Sequence, residues 1–179
     1  MKGVNVAIIG ATGLVGQEFI KVLEQRRFPM TSVKLYASDK SAGKKMFVNH
    51  HELEVKETAA DSFADIDIAL FSAGTSVSLY FAPIAAAAGA TVIDNSAAWR
   101  MDPNVPLVVP EINSEDIQRH KGIIANPNCS TIQMVVALNP IHKVNPIKRI
   151  VVSTYQSVSG TGSAAIDGTA PLTCAARVS

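Results

Sequence analysis

Six residues, Asn126-Pro127-Asn128-Cys129-Ser130-Thr131, carry the side chains of this chain best suited to chemistry. The apolar run Gly122-Ile123-Ile124-Ala125 before them reads as a short buried strand. Thr131 to Leu138 after them has the length and apolar weight of a buried helix. Pro127 drives Asn126 toward an extended conformation, so the chain turns between the two. Cys129 then falls in the first turn of the helix, where unpaired N–H groups and the positive dipole end favour an anion. Such a setting favours a thiolate, the nucleophilic form of cysteine. The competing reading is a small buried apolar residue, the commoner role of a cysteine outside a disulfide.

The elements that must position this stretch begin at the N-terminus. Val4 to Ile9 is β-branched and continuously apolar, as a strand buried on both faces should be. It ends in Gly10-Ala11-Thr12-Gly13-Leu14-Val15-Gly16. Beyond it Val15, Phe19, Val22 and Leu23 recur at helical spacing. Strand, glycine-rich turn and helix in that order are the context a dinucleotide fingerprint requires, here with glycines at G-x-x-G-x-x-G rather than G-x-G-x-x-G. Small residues let the backbone approach a pyrophosphate, and the helix start offers N–H donors.

Ser32 to Ala37 reads as the second strand, making a βαβ unit with a parallel sheet. At its end stands Ser38-Asp39-Lys40-Ser41-Ala42-Gly43-Lys44-Lys45, where a Rossmann-type domain reads the adenosine ribose. An acid there favours NAD, and basic or hydroxyl groups accept the 2′-phosphate of NADP. Asp39 and Lys40 point in opposite directions, but two serines and three lysines in eight residues favour NADP. The alternative is a solvated basic loop.

Phe47 to Thr58 alternates weakly. Its adjacent His50 and His51 would face opposite sides of a strand, which makes them surface residues and a poor metal pair. Ile66 to Ser72 reads as a strand, Ser76 to Ala88 as a helix closed by Gly89, and Thr91 to Asp94 as the next strand. That strand runs into Asn95-Ser96-Ala97-Ala98-Trp99-Arg100, polar residues at the strand end where open α/β sheets bind ligands. Arg100 has the planar fork that clamps a carboxylate or phosphate. Three prolines, Pro103, Pro106 and Pro110, mark an extended excursion before a short helix near Ser114 to His120. Lys148 to Gln156 reads as a long strand opening a different sheet, with Val152, Thr154 and Gln156 on one face. Gly160 to Ser179 has no period and reads as loop or frayed tail.

The 179 residues are 47% hydrophobic with a formal net charge of +1, enough apolar weight for a core and too little basic charge for a nucleic-acid surface. Two cysteines, Cys129 and Cys174, make no disulfide framework and fit a reducing cytoplasm. The N-terminus lacks the apolar region of a signal peptide, and the apolar run near Phe81 to Ala90 is too short for a membrane span. The fold expected is α/β: a Rossmann-type doubly wound parallel sheet over residues 1–127, followed at 128–179 by the beginning of an α+β catalytic domain.

The motifs together resemble, in order from residue 2 to about 165, the aspartate-β-semialdehyde dehydrogenase family. The matching segments are Gly10 to Gly16, Ser38 to Gly43, Asp94 to Arg100, Val109-Pro110-Glu111-Ile112-Asn113, Asn126 to Thr131 and Ser153-Thr154-Tyr155-Gln156. The resemblance implies NADP-dependent reductive dephosphorylation of L-β-aspartyl phosphate to L-aspartate-β-semialdehyde, on the route to lysine, methionine and threonine, in a cytoplasmic homodimer. It implies that Cys129 is the nucleophile, that Asn128 and the Cys129 N–H stabilise an oxyanion, and that Gln156 orients the acyl group. Arg100, with Asn95 and Ser96, would bind the substrate phosphate. Gly10, Thr12, Gly13, Leu14, Val15, Gly16, Ser72 and Gly74 would hold the cofactor, with Ser38, Lys40 and Ser41 on its 2′-phosphate. Neither a metal nor nucleic acid nor a membrane is expected. N-acetyl-γ-glutamyl-phosphate reductase shares the cysteine logic but matches the Ser38 to Gly43 and Asn95 to Arg100 segments less well.

The chain departs from the family in length. Members are longer, and their second domain supplies an acid/base histidine that His50, His51, His120 and His142 do not match in context. From about Asp167 the family pattern is lost, so a shortened chain is expected. A non-catalytic NADP-binding module is the alternative function.

Overall fold

The computed structural model describes residues 3–155, 157–161 and 166. The chain divides into two compact units, Met1–Asn128 and Cys129–Ser179.

The first unit is built on a seven-stranded sheet. In chain order its strands are β1 (Val4–Ile9), β2 (Met30–Ala37), β3 (Lys45–Val48), β4 (His51–Glu57), β5 (Ile68–Phe71), β6 (Thr91–Asp94) and β7 (Ile123–Ala125). Across the sheet the order is β3-β4-β2-β1-β5-β6-β7, parallel throughout except for the antiparallel β3–β4 pair. The connections include α1 (Leu14–Gln25), α2 (Thr75–Ala87) and the single turn α3 (Pro110–Asn113).

The unbroken apolar character of β1 has a direct structural reading. Val6 and Ile8 face one side, where they pack with Leu35, Val55 and Ile20 of α1. Ala7 and Ile9 face the other, with Phe63, Phe71, Val92 and the Ala82 and Ala85 face of α2. Both faces are covered, as the doubly wound reading requires. The apolar stripe of α1 is narrower than its sequence suggests: Gly16 and Ile20 are buried, whereas Val22 is 48% exposed.

One further expectation is corrected in this unit. Phe47 to Thr58 is a hairpin rather than one alternating segment, because Asn49 and His50 take positive φ values of 48° and 66° and reverse the chain. His50 thus lies in the turn and His51 opens β4, both exposed. The short helix expected near Ser114 to His120 is present as a 3-10 helix, Ser114–Arg119, with α3 just before it.

The second unit opens with α4 (Cys129–Val144), longer than the expected helix. None of its residues is buried. Burial needs a facing surface, and among the described residues this unit offers only α4 and a 3-10 turn, Val158–Thr161. The strand expected over Lys148 to Gln156 is also absent from its described part, residues 148–155. Alternation alone makes no strand without a neighbour to complete the ladder, and none lies among the described residues. Gln156 and Cys174 fall outside the described residues.

Among the described residues no helix is long and apolar enough to cross a membrane, and no three His, Cys, Asp or Glu side chains cluster to hold a metal ion.

Candidate active site

Sheet order reverses between β1 and β5: β2 follows on one side of β1, β5 on the other. A crevice opens at the strand C-termini where such a reversal occurs. Here it is a cleft of about 550 Å³. Its wall at β1 is Gly10, Thr12 and Gly13; at β2, Ala37, Ser38 and Asp39; at β5, Ser72 and Ala73. Glu57 and Thr58 from the end of β4, and Val77 and Phe81 from α2, complete it.

Glycine is needed in the turn for backbone reasons. Gly10 has φ +86°, and a Cβ there would meet the Ser72 carbonyl oxygen at 2.5 Å. A Cβ on Gly16 would run into the Gly10 carbonyl, so Gly16 lets α1 seat against the turn. Gly13 is the N-cap of α1 and places no side chain over the helix start. The turn therefore leaves a cradle of main chain at a 12-residue helix start, which fits a dinucleotide pyrophosphate.

Of the residues expected to hold a cofactor, Gly10, Thr12, Gly13, Ser38 and Ser72 line the cleft. Leu14, Val15, Gly16, Lys40, Ser41 and Gly74 do not, although Lys40 and Ser41 continue the 3-10 turn Asp39–Ser41 that starts at the cleft wall. Glu57, Thr58, Val77 and Phe81 escaped the sequence reading. The last two carried a signal, their place in the first turns of a helix after a parallel strand.

Farther along the same sheet edge, the loops after β6 and β7 are knitted together. Asn126 Nδ2 donates to Asn95 Oδ1 at 2.6 Å. Half-buried Arg100 donates from Nε to the Asn126 carbonyl at 2.9 Å and from Nη2 to the Asn95 carbonyl at 3.0 Å. Ser96 Oγ donates to fully buried Asp94 at 2.7 Å and accepts the Ala98 N–H at 3.1 Å. Asn95, Ser96 and Arg100 are thus brought together, with Asp94 and Asn126 as the supports that the sequence did not single out for that role. Trp99 Nε1 donates to buried Ser78 Oγ at 3.0 Å, fastening this loop to the helix whose Val77 and Phe81 line the cleft.

Asn128 ends the first unit, half-buried; Cys129 is the first residue of α4 in the second and is exposed.

Residues 5–120 match the model of the semialdehyde dehydrogenase NAD-binding domain. The chain belongs to that family. Its relatives include the aspartate-semialdehyde dehydrogenase of Aquifex aeolicus, 60% identical over 168 residues that cover 92% of this chain and 49% of the relative. Among solved structures, the aspartate semialdehyde dehydrogenase II of Vibrio cholerae complexed with ASA superposes with a TM-score of 0.90 at 50% identity, covering 93% of this chain and 50% of that one. An aspartate semialdehyde dehydrogenase with NADP from Candida albicans gives a TM-score of 0.69 at 27% identity, over 80% of this chain and 48% of that one. The chain therefore spans about half the length of the semialdehyde dehydrogenases it matches.

Proposed function

We propose that the cleft takes NADP and that the chain serves the reductive dephosphorylation of L-β-aspartyl phosphate to L-aspartate-β-semialdehyde, in the cytoplasmic synthesis of lysine, methionine and threonine by a homodimer. The observation that carries this reading is the cleft over the Gly10–Gly16 turn in a chain of this family. The Candida albicans relative with NADP and the Vibrio cholerae relative with ASA support the choice of ligands.

Gly10, Thr12, Gly13 and the start of α1 at Leu14 and Val15 would hold the pyrophosphate, flanked by Ser72 and Gly74. Ser38, Lys40 and Ser41 would meet the 2′-phosphate. Arg100 would bind the substrate phosphate alongside Asn95 and Ser96, its planar fork suited to two phosphate oxygens. Cys129 Sγ would attack the acyl carbon, the carbonyl electrons moving to an oxyanion that Asn128 and the Cys129 N–H stabilise. Collapse expels inorganic phosphate and leaves a thioester, which Gln156 would orient. The bound nicotinamide supplies hydride chemistry. After hydride has been added to the thioester carbon, re-formation of the carbonyl with loss of the Cys129 thiolate would free the aldehyde.

The test is phosphate-dependent NADPH formation from L-aspartate-β-semialdehyde, with Cys129→Ala as control. Activity abolished by the substitution is the expected result. NADP binding without turnover would instead support a nucleotide-binding module.

A further inference from the structure

The cleft has a second carboxylate at the position where the ribose is read. In the parallel ladder Glu57 pairs with Ala37, the residue before Ser38. Beyond it, Thr58 fixes this register: its N–H and its Oγ1 both donate to the Ala37 carbonyl, at 3.0 and 3.1 Å. On the other side the Ser38 loop folds back onto the same strand, Gly43 N donating to the Val55 carbonyl at 2.8 Å and Val55 N to the Lys44 carbonyl at 2.7 Å. Glu57 is thereby fastened beside the Ser38–Lys44 loop, exposed, in the cleft wall with Asp39. Asp39 is followed by Lys40 within one 3-10 turn. Lys56, its neighbour in the strand, lies on the opposite face by alternation, and none of the salt bridges among the described residues engages Glu57.

We propose that Glu57 is a specificity-determining residue for the nucleotide. Its carboxylate opposes the 2′-phosphate of NADP and accepts the 2′-hydroxyl of NAD, so the cleft discriminates weakly between the two. This rests on the nucleotide reading of the cleft given above. The charge of Lys40 favours the phosphate and that of Glu57 disfavours it, across a solvent-exposed mouth where each is partly screened.

The experiment titrates NADP and NAD separately into the full chain by calorimetry, comparing the wild type with Glu57→Gln and with Glu54→Gln, an exposed glutamate of the same strand outside the cleft. Glu57→Gln is expected to raise the ratio of NADP to NAD affinity by roughly three- to tenfold at low salt, less at high salt, as a surface charge pair should. Glu54→Gln is expected to leave the ratio alone. An unchanged ratio in Glu57→Gln, with both nucleotides still binding, overturns the assignment of Glu57 alone. The same shift in Glu54→Gln also overturns it, since the effect would then be one of net charge. Failure of the wild type to bind either nucleotide overturns the reading of the cleft and this inference with it.

Discussion

Arg100 Nε donates to the main-chain carbonyl of Asn126 at 2.9 Å, tying a residue of the loop after β6 to the turn after β7. A second donor, Nη2, goes to the Asn95 carbonyl, so two main-chain carbonyls help fix the plane of the guanidinium. A guanidinium oriented in this way presents a planar fork of donors, the geometry that suits phosphate or carboxylate. Arg100→Lys keeps the charge and loses the fork. The expected outcome is a rise of about 10- to 100-fold in the KM for phosphate, with NADP binding unchanged because Arg100 lies outside the nucleotide cleft. Phosphate titration in the semialdehyde assay, beside NADP calorimetry, checks both halves.

Two glycines of the cofactor set separate conformational strain from crowding. Gly10 and Gly74 both have positive φ, +86° and +91°. A Cβ on Gly10 would strike the Ser72 carbonyl, whereas one on Gly74 would meet nothing within 4 Å. Gly74, with ψ 167°, lies in a region essentially reserved for glycine, so Gly74→Ala should cost only the backbone strain, about 1–3 kcal/mol. Gly10→Ala adds a displacement of β1 from β5 and should cost about 2–4 kcal/mol. Urea unfolding midpoints of the two variants measure the difference directly, and equal losses would contradict it.

What was legible in the sequence was local. The β1–turn–α1 unit, and β6 at Thr91–Asp94, follow from continuous apolar runs bounded by glycine or polar residues. The hairpin at Asn49 and His50 was hidden because its positive-φ turn uses Asn and His where glycine is the usual marker. Glu57 was hidden for a different reason: only the pairing of β4 with β2, a contact between distant segments, brings it to the cleft. The same limit explains α4, where apolar composition was read as burial although burial depends on what faces the helix.

Tyr36 makes a prediction about alkaline stability. The residue is buried, and its hydroxyl donates to the Ser62 carbonyl at 2.9 Å. Burial pushes the hydroxyl above its ordinary value of 10.0; the Asp61 carboxylate adds to the rise and the Ser62 side chain partly opposes it. An acid whose pKa is higher folded than unfolded gives its full stabilisation below the unfolded value. That contribution is lost as pH climbs from 10.0 through the folded value, because the unfolded chain releases the proton first. Tyr36→Phe should cost about 1–2 kcal/mol at pH 8 through the lost hydrogen bond. The gap to wild type should narrow at pH values above 10.0. Urea unfolding at both pH values tests it; a gap that stays constant would show that Tyr36 does not titrate with unfolding.

Cys129 provides the prediction that separates a nucleophile from a bystander. It is exposed at the first position of a 16-residue helix, so an alkylating reagent reaches the sulfur without unfolding. Under the proposed chemistry iodoacetamide should modify Cys129 ahead of Cys174 near neutral pH. Bound NADP should change the rate, because the thiol and the nicotinamide act on one carbon. Peptide mass spectrometry over a time course, with and without NADP, distinguishes the two sulfurs. Cys129→Ser should abolish both the adduct and the semialdehyde reaction while leaving NADP affinity intact, since the cleft lies wholly in the first unit. Equal, slow modification of both cysteines, indifferent to NADP, would remove Cys129 from the reaction and leave the cleft as the chain's sole functional site among the described residues.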